Sequence, residues 1–338
     1  MSISTSRIPY ETLFDALNRV LLKHGFEPPR ARLCAQLFAD ASRDGVYSHG
    51  LNRFPQFVRM IQSGIVVLRA EPERVASIGS LERWDGKCGP GNLNAYACMD
   101  RAIALAREHG LGCVALANTN HWMRGGSYGW QAADAGVIGI CWTNTLPNLP
   151  PWGASEPRIG NNPLVIAVPR AAGHVVLDMA MSQFSYGALA SYRKRGERLP
   201  VEGGFDAAGM LTRDPAAIEK SKRPLPIGYW KGSGLALLLD MVASILAGGS
   251  ATFQIPAEPE HETKLSQVFI AFDPRTLEQS ENSASIADEI VEHLLLPSAA
   301  SGEQVRYPGE RVLQTRKENL AHGVPVDATI WAEVQAFL

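Results

Sequence analysis

The chain of 338 residues lacks the short motifs by which many nucleotide-dependent and metal-dependent enzymes are recognised. It has no G-x-G-x-x-G after a predicted strand and no Walker A loop, so neither common nucleotide-binding fingerprint is present. It has no H-E-x-x-H pair, and its eight histidines are widely spread, which argues against a metal site. It also has no G-x-S-x-G elbow, which argues against a serine hydrolase of the α/β type.

The chain also has few cysteines and almost no net charge. The five cysteines are scattered, their number is odd and no two form a C-x-x-C pair, so we expect a reducing compartment and no disulfide framework. Lysine and arginine total 32 against 34 acidic residues. Because the two signs are interspersed along the chain, nucleic acid is not an expected partner.

The sequence leads us to expect neither a signal peptide nor a membrane span. Segment 1–9 is polar, and the most apolar stretch, Gly234 to Gly248, is short and interrupted by Asp240. Hydrophobic residues make up 46% and charged residues 20% of the chain, which is typical of a globular protein. We therefore expect a cytoplasmic protein with no membrane partner.

Hydrophobic periodicity and turn residues predict a mixture of helices and strands, and hence an α/β or α+β central region. Helices are predicted at Glu11 to His24, from Pro28, at Pro55 to Gly64, Asn92 to His109, Gly232 to Ala247, Ser285 to Leu296, Glu310 to Ala321 and Asp327 to Leu338. Strands are predicted at Arg74 to Trp84, Cys113 to Leu116, Val137 to Cys141, Pro163 to Val168, Val175 to Leu177 and Val268 to Phe272. The segment from Thr252 to Lys264 is rich in Glu and Pro and predicts a surface loop.

One stretch near the N-terminus places an imidazole, His49, four residues before a guanidinium, Arg53. If this stretch is helical, the two side chains share a face. Histidine gains or loses a proton near neutral pH, and arginine offers a planar fork that fits a carboxylate. The pair therefore suits a small 2-oxo acid, with His49 as proton donor and Arg53 as carboxylate clamp. The alternative is a solvated helix face without chemistry.

Three further polar segments are typical of ligand sites. Asn118 to Gly129 follows a predicted strand, at the place where ligand sites of α/β proteins collect, although it also fits an ordinary turn. Asp178 follows a buried strand and is suited to accept hydrogen bonds from a ribose, or to cap the next helix. Tyr229 to Gly234 offers a cation and glycines at a helix start, which favours an anion or simply close packing.

Five motifs, in this order along the chain, resemble the signature of the malate/L-lactate/L-sulfolactate dehydrogenase family. They are V-Y-S-H-G-x-x-R at 46–53, N-H-W-x-x-G at 120–125, I-G-x-N-P at 159–163, K-G-x-G at 231–234 and P-G-E at 308–310. The resemblance runs from about Tyr10 to the C-terminal helices. Members of this family bind a nicotinamide cofactor with a domain that is not a Rossmann fold, which would account for the missing glycine fingerprint.

The resemblance implies an α/β, sulfolactate-dehydrogenase-like, non-Rossmann fold. It implies a central mixed-sheet NAD-binding domain at about 111–284, and a helix-rich domain formed by 1–110 together with 285–338. It also implies a homodimer of two-domain subunits, with the active site between the domains.

The resemblance further implies roles for individual residues. His49 is implied as the proton donor, and substrate contacts are implied for Ser48, Arg53, Asn120 and His121. Cofactor contacts are implied for three segments, namely His174, Val175, Val176, Leu177, Asp178, Met179 and Ala180, then Trp230 and Lys231, then Gly309, Glu310 and Arg311.

Together these features predict an NAD(P)H-dependent reductase of a small 2-oxo acid, with NADH as the expected cofactor and NADPH as the alternative. The chemistry of other family members gives alternative substrates: malate, lactate, ureidoglycolate or a cyclic imino acid. Two alternatives lie outside the family. One is a non-catalytic protein that holds an anion with His49 and Arg53, and the other is a histidine-based metalloenzyme.

Overall fold

The computed structural model describes residues 5–277, 280–297 and 304–338 of the chain. In these ranges the helices are α1 Tyr10–Lys23, α2 Pro28–Arg43, α3 Phe54–Gln62, α4 Gly91–His109, α5 Gly126–Asp134, α6 Tyr186–Arg195, α7 Pro215–Ser221, α8 Trp230–Ala247, α9 Ser280–Leu294, α10 Glu310–His322 and α11 Ala328–Phe337. The strands are β1 Thr5–Ile8, β2 Glu73–Ile78, β3 Leu81–Asp85, β4 Leu111–Asn120, β5 Ile138–Thr143, β6 Leu164–Val168, β7 Val175–Met179, β8 Gly204–Phe205, β9 Leu211–Thr212, β10 Thr263–Phe272 and β11 Val324–Asp327.

Seven of these strands form one mixed sheet in the order β2-β3-β4-β10-β5-β6-β7. Only β3 and β4 are parallel, and the other neighbours in the sheet are antiparallel. A parallel pair needs a crossover connection, which α4 provides between β3 and β4. The predicted α/β fold with a central mixed sheet is confirmed.

A layer of helices packs beside this sheet and is built from both ends of the chain. In α1, the apolar stripe of Leu13, Leu17 and Leu21 is fully buried, as helical periodicity predicts. These residues share one core with residues of α2 and α3, and with Val324 and Val334 near the C-terminus. The short pair β1-β11 closes this layer, because the N-terminal strand lies antiparallel to a strand near the other end of the chain.

The predicted domain boundary at residue 110 does not coincide with this division into layers. Strands β2 and β3 and helix α4 belong to the sheet layer, although the sequence places them in the helix-rich part. The reason is the parallel pairing of β3 with β4, which draws the crossover helix onto the sheet. We propose that the division falls near residue 72.

Helices cover both faces of the sheet. Helices α4 and α5 share an apolar core with one face, and α8 packs on the other face through Ala236, Leu239 and Ala243. By length and composition alone, α8 is apolar enough to cross a membrane. Its buried side lies on the sheet, however, while Leu238 and Ile245 on its outer side are exposed.

Two local predictions need correction. The sequence predicts that the helix starts with Asn92 as its cap, but α4 begins at Gly91 after Pro90, and Asn92 is buried within the first turn. The segment from Thr252 to Lys264 is not wholly a surface loop, because Glu262 is buried and β10 begins at Thr263.

A buried carboxylate joins the helical layer to the sheet layer. Asp44, at the end of α2, accepts hydrogen bonds from Arg124 at 2.6 Å, from Arg316 at 2.7 Å and from Arg43 at 2.8 Å. Burial alone would raise the pKa of Asp44, but hydrogen bonds and charge from the three guanidiniums outweigh it and hold that pKa well below its usual range. Arg316 also lies over the ring of Trp130, at 4.6 Å from the centroid.

We expect Asp44→Asn to lower the free energy of unfolding by about 3–5 kcal/mol, because breaking a buried ion pair leaves unpaired charge behind. An unfolded aspartate titrates near ~3.9. Since the folded pKa is lower, the stabilisation is complete above that value and is lost as the pH falls towards the folded pKa. Urea unfolding at pH 7 and at pH 3 measures both effects.

The matched control is Asp15→Asn, on the exposed side of α1. If Asp44→Asn lowered the free energy of unfolding no more than the control does, Asp44 would not be what connects the two layers.

Candidate active site

A cavity of about 860 Å³ lies between the helical layer and the carboxyl-terminal ends of β4 and β7. Its size is within the range of small-molecule and cofactor sites. The residues that line it come from distant parts of the chain. They include Ser48, His49, Arg53, His121, Arg124, Gly126, Asn148, Asp178, Tyr186, Glu262 and Gly309.

The stretch that carries His49 and Arg53 is not an α-helix. It forms two successive 3₁₀ turns, Tyr47–His49 and Leu51–Arg53, which meet at Gly50. A side chain at Gly50 would lie 2.2 Å from the Ser42 hydroxyl, so only glycine lets the turns lie against α2. The predicted i, i+4 helical face is therefore wrong, yet both side chains still line the same cavity.

Two imidazole rings face each other in this cavity. The rings of His49 and His121 are stacked, with centroids 5.7 Å apart and planes inclined by 24°. The Nδ1 atom of His49 lies 2.9 Å from the Ser48 hydroxyl. The backbone N–H of Met123 donates to Nδ1 of His121 at 2.9 Å. Neutral His121 therefore carries its proton on Nε2.

Both histidines are held towards the neutral form. Burial lowers the pKa of His49; the charge of Asp178 acts in the opposite direction, while Arg53 and Arg124 lower that pKa further. Burial also lowers the pKa of His121 well below its ordinary value, with further contributions from Arg53 and His49. A negative charge brought to Arg53 would oppose these effects and favour the protonated form of His49.

Arg53 has a buried partner that the sequence did not reveal. Its guanidinium lies 3.5 Å from one oxygen of Glu262, and the other oxygen accepts the backbone N–H of Leu146 at 3.2 Å. Burial raises the pKa of Glu262, although Arg53 and the Leu146 N–H act against that rise. The composition of this segment indicated a surface loop and gave no signal for a buried carboxylate.

The opposite wall of the cavity is suited to a nicotinamide cofactor. Val176, Leu177, Asp178 and Ala180 on or beside β7 line it, together with Gly309. Asp178 accepts the backbone N–H of Gly126 at 2.8 Å and lies in β7, well before the next helix at Tyr186, so it is not a helix cap.

Glycines bring backbone close to this wall. Gly309 has a φ of +98°, and a side chain there would lie 3.1 Å from backbone atoms of His174 and Val176. A side chain at Gly126 would lie 2.7 Å from the Asp178 carboxylate. The Asp178 carboxylate can accept hydrogen bonds from the ribose hydroxyls of a dinucleotide, and backbone without side chains leaves room for its flat rings. The residues present therefore fit the cofactor.

Other predicted site residues lie outside the cavity lining. They are Asn120, His174, Val175, Met179, Trp230, Lys231, Glu310 and Arg311. Asn120 donates its amide to the backbone carbonyls of Cys88 at 2.7 Å and Gly89 at 3.0 Å. These bonds tie the end of β4 to the segment at Cys88 and Gly89, and the substrate contact of Asn120 stays a prediction.

His174 and the start of α8 are likewise engaged elsewhere. His174 lies 3.0 Å from the Asp134 carboxylate, and its other ring nitrogen accepts the N–H of Arg170. Trp230 is 67% exposed. A side chain at Gly232 would lie 2.3 Å from the carbonyl of Ile227, so close packing accounts for that glycine. The cofactor contacts of Trp230 and Lys231 stay predictions.

Several cavity residues had no role in the sequence-based predictions. Arg124 stood inside a recognised motif, but nothing in the pattern indicated its pairing with Asp44. The hydroxyl of Tyr186 donates to the carbonyl of Asn148 at 3.1 Å and so closes one side of the cavity.

Comparison with known proteins agrees with this geometry. The family model described as malate/L-lactate dehydrogenase matches residues 8–335. A 2,3-diketo-L-gulonate reductase from Escherichia coli O139:H28 is 45% identical over 331 residues, which are 98% of this chain and 99% of that protein.

Two solved structures have the same fold. Sulfolactate dehydrogenase from Methanocaldococcus jannaschii superposes with a TM-score of 0.91 at 28% identity, covering 98% of this chain and 96% of that one. Malate dehydrogenase from Pyrococcus horikoshii OT3 gives 0.89 at 27% identity, covering 98% and 94%. The expected non-Rossmann fold is confirmed, and the chain belongs to the malate/L-lactate dehydrogenase family of NAD(P)-dependent oxidoreductases.

Proposed function

We propose that this enzyme reduces the 2-keto group of 2,3-diketo-L-gulonate to 3-dehydro-L-gulonate, with NADH as the cofactor and NADPH as the alternative. The observation that carries the proposal is that His49, His121 and Arg53 line one cavity. The opposite wall of this cavity, formed by Val176 to Asp178, Ala180 and Gly309, is called the Asp178 wall below. The name of the 45% identical relative supports this substrate, as do the stretches around His121, Tyr186 and Trp230, which resemble that enzyme.

Arg53 holds the substrate carboxylate in this mechanism. Its guanidinium has five N–H donors, and the contact with Glu262 occupies only one edge of the fork. The remaining donors are free to bind a carboxylate, which places the adjacent keto carbon between the two histidines and the Asp178 wall. Ser48 holds His49 through Nδ1, which leaves Nε2 of His49 directed to the substrate.

A nicotinamide held by the wall around Asp178 would supply a hydride to the keto carbon, while residues of this chain supply the proton and the charge stabilisation. Negative charge develops on the keto oxygen as the hydride arrives. His121 donates a hydrogen bond from its neutral Nε2–H, and His49 delivers a proton from Nε2. Arrival of the substrate carboxylate at Arg53 reduces the positive field on His49, so the proton donor is charged when it is needed.

We also propose a cytoplasmic homodimer in which the outer face of α8 is buried. Trp230, Leu238, Met241 and Ile245 on this helix are each close to half exposed or more. Contiguous apolar surface of this kind marks an interface. The partner subunit would cover a face that otherwise remains in contact with water.

His49→Ala should lower kcat for diketogulonate reduction by about 10²–10⁴, the usual worth of a positioned general acid. NADH binding should persist, because the cofactor wall lies opposite. Absorbance at 340 nm measures turnover, and NADH fluorescence measures binding. The exposed His109 gives the control variant His109→Ala. Near-normal turnover of His49→Ala would remove His49 from the mechanism, and wild-type protein that binds oxo acids without oxidising NADH would indicate a non-catalytic anion-binding protein.

The ring of His121 should remain neutral from pH 8 to pH 5.5 in the folded protein, since burial lowers its pKa well below the ordinary value. Nitrogen-15 NMR of the imidazole should show protonated Nε2 and bare Nδ1 throughout this range. In urea the same ring should titrate near ~6.5. A folded-state titration of His121 between those limits would contradict its role as a neutral donor.

Ile245→Glu should convert the dimer to a monomer, because a charge in the centre of an apolar interface is costly to bury. Sedimentation velocity measures the mass of each form. Leu22→Glu, at an exposed position on α1, is the control and should stay dimeric. A wild-type monomer, or an Ile245→Glu dimer, would place the interface elsewhere or exclude it.

A further inference from the structure

Glu262 is a buried carboxylate in the cavity wall that the proposed reaction does not use. The residue is 3% exposed and lines the cavity that contains His49 and Arg53. Its two hydrogen-bond partners are the Leu146 backbone N–H and, at 3.5 Å, the Arg53 guanidinium. Because an ionised carboxylate offers about four acceptor positions, some of them remain available to a ligand.

The start of β10, directly after Glu262, is irregular. The pairing of β10 with β4 shifts register between Thr263 and Leu265 and again between Leu265 and Gln267. Lys264 has a φ of +61°, which is unusual for a residue with a side chain. Bulges of this type turn side chains towards active sites, and here the bulge separates buried Glu262 from the regular alternation of the strand.

The charge of Glu262 limits what can bind next to Arg53. The Arg53–Glu262 pair is neutral as a whole, so one substrate carboxylate bound to the free edge of Arg53 already makes this group of charges negative overall. The other guanidinium that lines the cavity, Arg124, is buried and hydrogen-bonded to Asp44 at 2.6 Å, so it is not free to turn towards a second carboxylate. A second carboxylate on the substrate would face ionised Glu262 at short range, whereas a substrate hydroxyl would donate a hydrogen bond to it.

The geometry points to Glu262 as a specificity-determining residue, which admits hydroxylated 2-oxo monocarboxylates and disfavours 2-oxo dicarboxylates. This inference rests on the proposed function and names the substrate class of the same site. Glu262 attracts a substrate hydroxyl and repels a second carboxylate. Both effects favour hydroxylated monocarboxylates over dicarboxylates.

Steady-state reduction of diketogulonate and of oxaloacetate by NADH tests the inference. Wild type should give a kcat/KM for diketogulonate at least tenfold above that for oxaloacetate. Glu262→Gln keeps the acceptor for the Leu146 N–H but has no charge, so the ratio of the two values should shift at least tenfold towards oxaloacetate. A residue that only supported the fold would lower both values together and leave their ratio unchanged.

Two further variants complete the experiment. Glu262→Asp keeps the charge and should retain the preference for diketogulonate. Glu260→Gln removes an exposed carboxylate two residues away and should match wild type for both substrates. A ratio for Glu262→Gln within twofold of wild type overturns the inference, as does a Glu262→Asp variant that prefers oxaloacetate.

The wild-type arm separates this inference from the proposed function. Wild type that reduces diketogulonate and oxaloacetate equally well overturns the selectivity inference while the reductase activity stands, and it does so even if Glu262→Gln fails to fold. Wild type that oxidises no NADH with diketogulonate overturns the proposed function itself.

Discussion

The cluster of buried ion pairs at Asp44 is the interaction on which the site depends. This one carboxylate ties the end of α2 to Arg124, three residues after His121, and to Arg316 of α10. It also lies five residues before His49. The two imidazoles belong to different layers of the molecule, so a stacking distance of 5.7 Å requires that those layers keep fixed positions relative to each other. A buried, fully paired charge is well suited to this task, because each alternative arrangement leaves an uncompensated ion.

The cavity is organised around a balance of charges. Burial, together with the charges of Arg53 and Arg124, makes the free site unfavourable for a protonated His49, whereas Asp178 favours the protonated form. Glu262 offsets part of the charge of Arg53. An incoming carboxylate changes this balance at Arg53. Substrate binding and readiness of the proton donor are therefore coupled through one guanidinium. This coupling explains how a buried histidine with a lowered pKa can still act as a general acid.

Much of the architecture follows from local sequence features. The helix from Pro28 and the strand at Val175 were predicted because proline at a helix start and short apolar runs act locally. The pair β1-β11 was not predicted, because two four-residue strands far apart in sequence are brought together only by tertiary packing. His49 and Arg53 were found by residue type, although the helix assumed for them is replaced by turns around Gly50.

Glu262 shows why the rest of the site could not be predicted from the sequence. The glutamate and proline residues just before it, at 256–260, are typical of exposed loops, and its partner Arg53 lies more than 200 residues away in the sequence. The hydrogen bonds of Asn120 could not be predicted for the same reason, since its partners Cys88 and Gly89 lie in another segment. Residue types reveal candidate chemistry, but long-range contacts decide which candidates meet.

A crystal structure with NAD⁺ and oxamate, an unreactive analogue of a 2-oxo acid, tests the central claim most directly. The account predicts the oxamate carboxylate on Arg53 and its carbonyl oxygen at about 3 Å from Nε2 of His49, within hydrogen-bond reach. The nicotinamide should lie against the Asp178 wall, facing the same carbon. Oxamate bound away from His49, or a nicotinamide outside this cavity, would contradict the account.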